Sequence, residues 1–402
     1  MSGPRAALGD SHNFGRRVEL RGDRVVKPRT VLWEWLFLSA ASPLRRALDR
    51  AANHAGSSRD AFAFLPDLAF SRPDARGGGE VERVVLAPLP RASAASRRAL
   101  AEIVGRATAL FTWLGVGDLH WENLALGLDA GGRVTFAPLD VEIVLSDLAS
   151  PTETKLLPEA DPEVAEVCRH ACGVRRALHH LGKPVDGADV VAMASAYLAT
   201  LALLDADAPA IAAAISSVPG LREAPIRVCL RGTDAYVRAR SEPVWPPLLD
   251  AEQVQLARGD IPYFFRLYGR AGIHFYAEPT LALLARLPTQ GDVPRLDPML
   301  QLGRGLRAPS RRKLREEGLF TLLGAFDHEG ITGRVSGDGH SGSAGLEVTF
   351  GARSLVVKPA RGDELRCRRD LRAFVGSVYL PCRCGEVRAA LVPRVTRCDA
   401  LA

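Results

Sequence analysis

The stretch GVGDLHWENLALG, residues 115–127, decides how this chain is read. It places Asp118, His120 and Asn123 within six residues, directly after an apolar helical pattern and directly before an apolar strand pattern. Upstream of it, from residue 99, Leu100, Ile103, Val104, Ala107, Leu110, Phe111 and Leu114 recur at helical spacing, and Gly115 and Gly117 supply the stop. Downstream, LALGL, a turn DAGG and VTFAPLDVEIVL predict a strand, a tight turn and a second strand. A polar loop held between a helix and a hairpin suits side chains that must be presented rather than buried.

Around this centre the rest of the chain takes shape. Residues 9–29 predict two short strands, with VEL and RVVKPR as their cores, followed by one helix from Val31 to about Leu48. Residues 71–79 predict an exposed loop before a strand VERVVLAPL, and residues 158–221, dominated by Ala, Leu and Val, predict helix. The apolar run 190–204 is too short to span a bilayer and predicts a buried helix. A linker at 307–329, with a helix at 311–326, precedes the tail. The tail carries an internal echo: residues 336–361 repeat GD-x-H, a strand and VVKP from residues 8–29, and GEVRAALVPRV at 385–395 echoes GEVERVVLAPLPR at 79–91. In the second copy Asp338, His340 and Lys358 stand where Asp10, His12 and Lys27 stand in the first.

Bulk properties narrow the function classes. A chain of 402 residues with 47% hydrophobic and 24% charged content predicts a globular protein of two or three domains. The net charge of +6 comes from scattered Arg rather than a basic tail or a nucleic-acid module, so no nucleic-acid partner is expected. No signal segment opens the sequence, no span is expected, and seven cysteines predict reduced thiols in a cytoplasmic protein. Cys367, Cys382, Cys384 and Cys398 match no zinc spacing.

The polar residues fit one chemistry in order along the chain. Phosphoryl transfer from ATP needs a group that orients the acceptor hydroxyl, a lysine on the phosphates and oxygen ligands for Mg²⁺. Asp118 suits the first task, Lys27 the second with Glu34 holding it, and Asn123 and Asp140 the third. His120 is placed to donate a hydrogen bond to the transferring phosphoryl group. A helix-capping loop would produce D-x-H-x-x-N as well; Lys27 before it and Asp140 after it, in kinase order, tip the balance.

Four separated stretches carry a more specific likeness: GDSHNFGRRV with VVKPR, GDLHWENLAL with LDVE, IRVCLRGTDAY at 226–236, and RGDIPYF at 258–264. With these, the sequence resembles the dehydratase domain of class II lanthipeptide synthetases, whose core resembles lipid kinases. The resemblance implies an α+β, two-lobed fold: a small β-rich lobe (1–92), a larger, mostly helical lobe with the catalytic loop (93–305), a linker (306–335) and a partial repeat of the small lobe (336–402). It implies that ATP and Mg²⁺ serve to phosphorylate Ser or Thr of a ribosomally made precursor peptide, and that the same site eliminates phosphate to leave dehydroalanine or dehydrobutyrine. Lys27, Asp118, His120, Asn123 and Asp140 fall at phosphorylation positions; Asp10, His12, Arg227 and Thr233 fall at elimination positions. No cyclase signature follows, so ring closure is expected from a separate cyclase. Two other readings stay open: a kinase that stops at the phosphate, and a non-catalytic peptide- or nucleotide-binding partner of a modification complex.

Overall fold

The computed structural model describes residues 6–54, 61–73, 78–90, 93–146, 154–157, 172–174, 177, 180–181, 187–244, 247–268 and 272–287, and three strands within 331–357. The chain is mixed α+β with several antiparallel sheets. The first sheet has the order β1-β2-β3-β5-β4, from β1 (Ala6–His12), β2 (Arg16–Arg21), β3 (Arg24–Lys27), β4 (Phe70–Ser71) and β5 (Gly79–Glu82). Three strands, not the expected two, precede the first helix. β1 escapes the alternation rule because Gly9 adopts a φ of +69° and the register shifts between Leu8 and His12.

The helix expected over 31–48 is two helices, α1 (Leu32–Leu38) and α2 (Pro43–His54). Pro43 fits the first turn of a helix but not its interior, and the Ser42 hydroxyl donates to Leu36 O at 2.6 Å while accepting Arg45 N at 3.1 Å. One serine thus closes one helix and opens the next. The strand expected over VERVVLAPL ends at Glu82, leaving a single bridge from Ala87 to Leu128.

α3 (Ala94–Trp113) begins five residues before its apolar pattern does, because Ser93 caps it by accepting Ser96 N at 3.2 Å. It packs lengthwise on α4 (Gly187–Ala206), and Gly105 permits the approach: a Cβ there would lie 2.1 Å from Met193 O. Phe111, Phe136, Leu110 and Tyr197 fill the surrounding core. The region expected to be helical over 158–221 supplies α4 and, after a 68° bend at Asp207, α5 (Ala208–Ser216), which has Pro209 in its first turn; residues 158–171 lie outside the described residues. Among the described residues no single helix is long and apolar enough to cross a membrane.

After α3, β6 (Leu124–Leu128) and β7 (Val134–Pro138) form the expected hairpin. The second strand stops at Pro138, seven residues short of the predicted end, and the chain runs on irregularly to Ser146. The stretch expected to be mostly helical also ends in a second antiparallel sheet, β11-β10-β9-β8, from β8 (Pro225–Val228), β9 (Phe264–Leu267), β10 (His274–Tyr276) and β11 (Leu284–Arg286). The short α6 (Thr233–Arg238) and α7 (Asp250–Ala257) lie between β8 and β9 in sequence. Both faces of this sheet are buried. Phe264 packs with Val228, Ile273 and Leu287, whereas Tyr263, Phe265 and Leu267 pack with Tyr276, Leu281 and Phe14 from the β1–β2 turn.

In the tail, β12 (Ile331–Ser336), β13 (Gly345–Phe350) and β14 (Arg353–Val357) form a three-stranded antiparallel sheet. Asp338, His340, Lys358, the helix expected at 311–326 and the four C-terminal cysteines lie outside the described residues.

Candidate functional site

The irregular segment after β7 is the spine of the site, because successive peptide groups of residues 139–146 pair with different parts of the molecule. Leu139 N donates to Asn123 O at 2.7 Å and Val141 N to the Glu34 carboxylate at 3.2 Å. Glu142 O accepts Arg227 N at 2.9 Å, and Ile143 O accepts Gly117 N at 3.0 Å. Leu145 N and Ser146 N donate to Leu114 O and Gly115 O, at the end of α3. Val141, Val144 and Leu145, all buried, anchor the segment in the core. A regular strand would offer its hydrogen bonds to two neighbours only; this one reaches five places.

On one side of this spine stand the residues expected to bind nucleotide. Lys27 Nζ lies 2.6 Å from Glu34 Oε1 and 3.3 Å from Asp140 Oδ1, and also donates to Leu139 O. Burial pulls the Lys27 amine below its ordinary value, opposed by the adjacent Glu34. Asn123 Nδ2 donates one hydrogen to Asp118 O at 2.9 Å, which orients the amide and leaves Oδ1 for other work. Asp140 Oδ1 takes Lys27 and Arg29, leaving Oδ2. The Leu139 N bond to Asn123 O brings the two residues to the same end of the hairpin, and a carboxylate and an amide oxygen are ligand types that Mg²⁺ takes. No group of three or more His, Cys, Asp or Glu side chains is placed to hold a metal among the described residues.

The loop that carries Asp118, His120 and Asn123 is tied to the spine at both ends, by Gly117 N and Asn123 O. Asp118 adopts a φ of +61°, a conformation Asp tolerates better than most residues, and its carboxylate is 2.6 Å from Lys155 Nζ at an exposed edge. His120 Nδ1 accepts Glu122 N at 3.3 Å, so the ring proton belongs on Nε2, where it is available to a ligand. Trp121, beside it, is exposed.

On the other side stand His12 and Arg227. His12 Nδ1 faces Ile261 O at 2.8 Å; a carbonyl only accepts, so Nδ1 carries the proton and Nε2 holds the lone pair. Burial, and then the Arg227 charge, hold this imidazole below its ordinary value and therefore neutral near pH 7. The Arg227 guanidinium lies 5.5 Å from the Tyr263 ring, against which His12 sits edge-on at 5.7 Å. Asp260 fixes the turn that carries His12. It accepts the Ser11 hydroxyl at 2.6 Å, Phe14 N at 2.7 Å, Gly15 N at 2.9 Å and Arg258 Nε at 2.7 Å. Burial would raise this carboxyl, but those four donors bring it below the ordinary range.

Two residues with no role assigned from sequence join the halves. Arg29 donates through Nη2 to Glu34 (2.8 Å) and Asp140, and through Nε to Glu142 Oε1; Glu142 Oε2 is 3.0 Å from Arg227 Nη1. Burial would raise the Glu142 carboxyl, yet Arg29 and Arg227 bring it down to about 2. Both residues lie two positions past a predicted site residue, in VVKPR and LDVE, and that spacing is the signal that points to them. Lys155, Asp260 and Tyr263 were likewise unassigned; Lys155 carries no sequence signal, since it lies 37 residues from Asp118.

The structure thus gathers Lys27, Glu34, Asp140, Arg29, Glu142, Arg227 and His12 into one connected group, with Asp118 close enough to act on the charge of Arg227. Asp10 is exposed on β1 and acts on His12 only through its charge. Thr233 is exposed in the first turn of α6 and makes no hydrogen bond to the group. No protein-family model matches the chain, and no curated protein matches it.

Proposed function

We propose that this chain is a lanthipeptide-type dehydratase, which phosphorylates Ser or Thr of a precursor peptide with ATP and then eliminates the phosphate. The single observation that carries this reading is the continuous Lys27–Asp140–Arg29–Glu142–Arg227 network. It sets a nucleotide-suited cluster and an elimination-suited cluster against each other across one carboxylate. We read the first sheet with α1 and α2 as a small lobe, α3 onward as a larger lobe, and the tail sheet as a partial repeat of β1–β3.

In the first step Asp118 accepts the proton of the substrate hydroxyl as its oxygen attacks the γ-phosphorus, and ADP departs. Lys27, kept in register by Glu34, holds phosphate oxygens, and His120 donates from Nε2 to the transferring group. Asp140 and Asn123 would hold Mg²⁺, which when bound offsets phosphate charge. In the second step the lone pair of His12 Nε2 removes the Cα proton of the phosphorylated residue. The Cα–Cβ double bond forms as the Cβ–O bond breaks, and phosphate leaves with that electron pair against Arg227.

One observation favours a kinase that stops at the phosphate: Thr233, an elimination position, stands apart from the network. Mass spectrometry of a candidate precursor incubated with protein and Mg-ATP separates the readings. Loss of one water per modified residue is expected; a lasting phosphate adduct would select the plain kinase, and an unmodified, co-purifying peptide the binding partner. In Arg227→Ala, phosphorylated peptide should accumulate, and loss of both steps would refute this division of roles.

A further inference from the structure

We propose that Arg29 and Arg227 form a two-arginine phosphate cradle in which the Glu142 carboxylate is the resident anion, displaced when a phosphoryl group arrives. The two guanidiniums come from distant parts of the chain, one just past β3 and one on β8, and they bracket the two oxygens of a single carboxylate. The side chains of Arg29, Glu142 and Arg227 are only 11%, 10% and 15% exposed. A carboxylate presents its oxygens to guanidinium forks much as a phosphate does, so one can stand in for the other.

The parts differ in what holds them. Arg29 is fixed at its far edge by Thr30 O at 3.1 Å, Glu34 and Asp140, and Arg227 by its ring contact with Tyr263. Both cations therefore stay in place when the carboxylate leaves. The Glu142 backbone is pinned through Arg227 N and the buried Val141, whereas among the described residues its side chain forms ion pairs with the two arginines alone. It is the component that can swing out. Lys27, Arg29 and Arg227 balance Glu34, Asp140 and Glu142 in formal charge, so an incoming anion must take the place of one already there. Since Arg29 also touches Asp140, and His12 feels the charges of Arg227 and Glu142, a phosphate in the cradle borders both the Lys27–Asp140 cluster and His12. The cradle rests on the phosphoryl-transfer reading only for which phosphate arrives.

Calorimetric titration of the full chain with inorganic phosphate tests the cradle without ATP or precursor. Glu142→Gln is expected to bind phosphate at least about tenfold tighter than wild type, because a resident charge is gone. Adding Arg29→Lys or Arg227→Lys should return the affinity to the wild-type level or below. Equal or weaker binding by Glu142→Gln, or a gain that survives both lysine changes, would overturn the proposal. If Glu142→Gln fails to fold, Glu142→Asp, whose shorter arm retracts from Arg227, must still show a smaller gain; none would overturn it. A phosphoserine peptide should compete with inorganic phosphate, and simultaneous binding of both would place the anion elsewhere and count against the cradle. Tighter phosphate binding without any peptide modification would keep the cradle and remove the dehydratase reading alone.

Discussion

Glu142 and Asp118 are both carboxylates paired with cations and both act on the charge of Arg227, yet their surroundings are opposite. Glu142 is buried between two arginines and brought down to about 2, so its charge is an integral part of the packing. Asp118 meets Lys155 at an edge where the lysine side chain is 61% exposed and water competes for both partners. A buried ion left alone costs several kcal/mol, whereas an exposed pair is worth little. Burial marks the carboxylate whose charge is part of the packing, and exposure marks the one that we propose meets substrate.

The largest effect that would break the contrast is catalytic. Asp118→Asn tolerates the same left-handed backbone and should lower peptide phosphorylation by roughly 10²–10⁴-fold with little change in thermal midpoint. Normal phosphorylation would remove Asp118 from the mechanism. Glu142→Ala should do the reverse to stability: two buried arginines lose their shared counter-ion, and urea denaturation should report a loss of about 3–5 kcal/mol. A cost below about 1 kcal/mol would mean that water already reaches the pair. Acid sharpens the same point. Because folding depresses the Glu142 carboxyl, its contribution is fully present above its unfolded value near 4.5 and is lost as pH falls toward 2. Wild type should therefore lose about 3 kcal/mol across that window that Glu142→Gln does not lose, read by denaturation at stepped pH. The smallest effect belongs to Lys155→Ala, which should cost at most about 1 kcal/mol.

The elements with strong local signals were legible. α3, the β6–β7 hairpin and the loop between them follow from apolar spacing and paired glycines, and that loop set the search for Lys27 and Asp140. What escaped were features with no local period. β1 is interrupted by Gly9; α1 and α2 are separated by a serine that bonds both ways; and residues 139–146 look like a strand because Val141, Val144 and Leu145 face a core, although their peptide groups serve five different partners. Lys27, expected on the phosphates, and Asp140, expected on the metal, lie 3.3 Å apart, but Arg29 and Glu142 have no role in the sequence reading.

By itself the sequence determined which side chains were chemically fit for phosphate, metal and proton work, and in what order along the chain they occur, because residue type and short-range spacing are local properties. Only the tertiary structure decided that Arg29 and Arg227, 198 positions apart, share the carboxylate of Glu142. That pairing depends on how a small sheet, an irregular spine and a second sheet bury charge together, and such desolvation has no signature in any single stretch of chain.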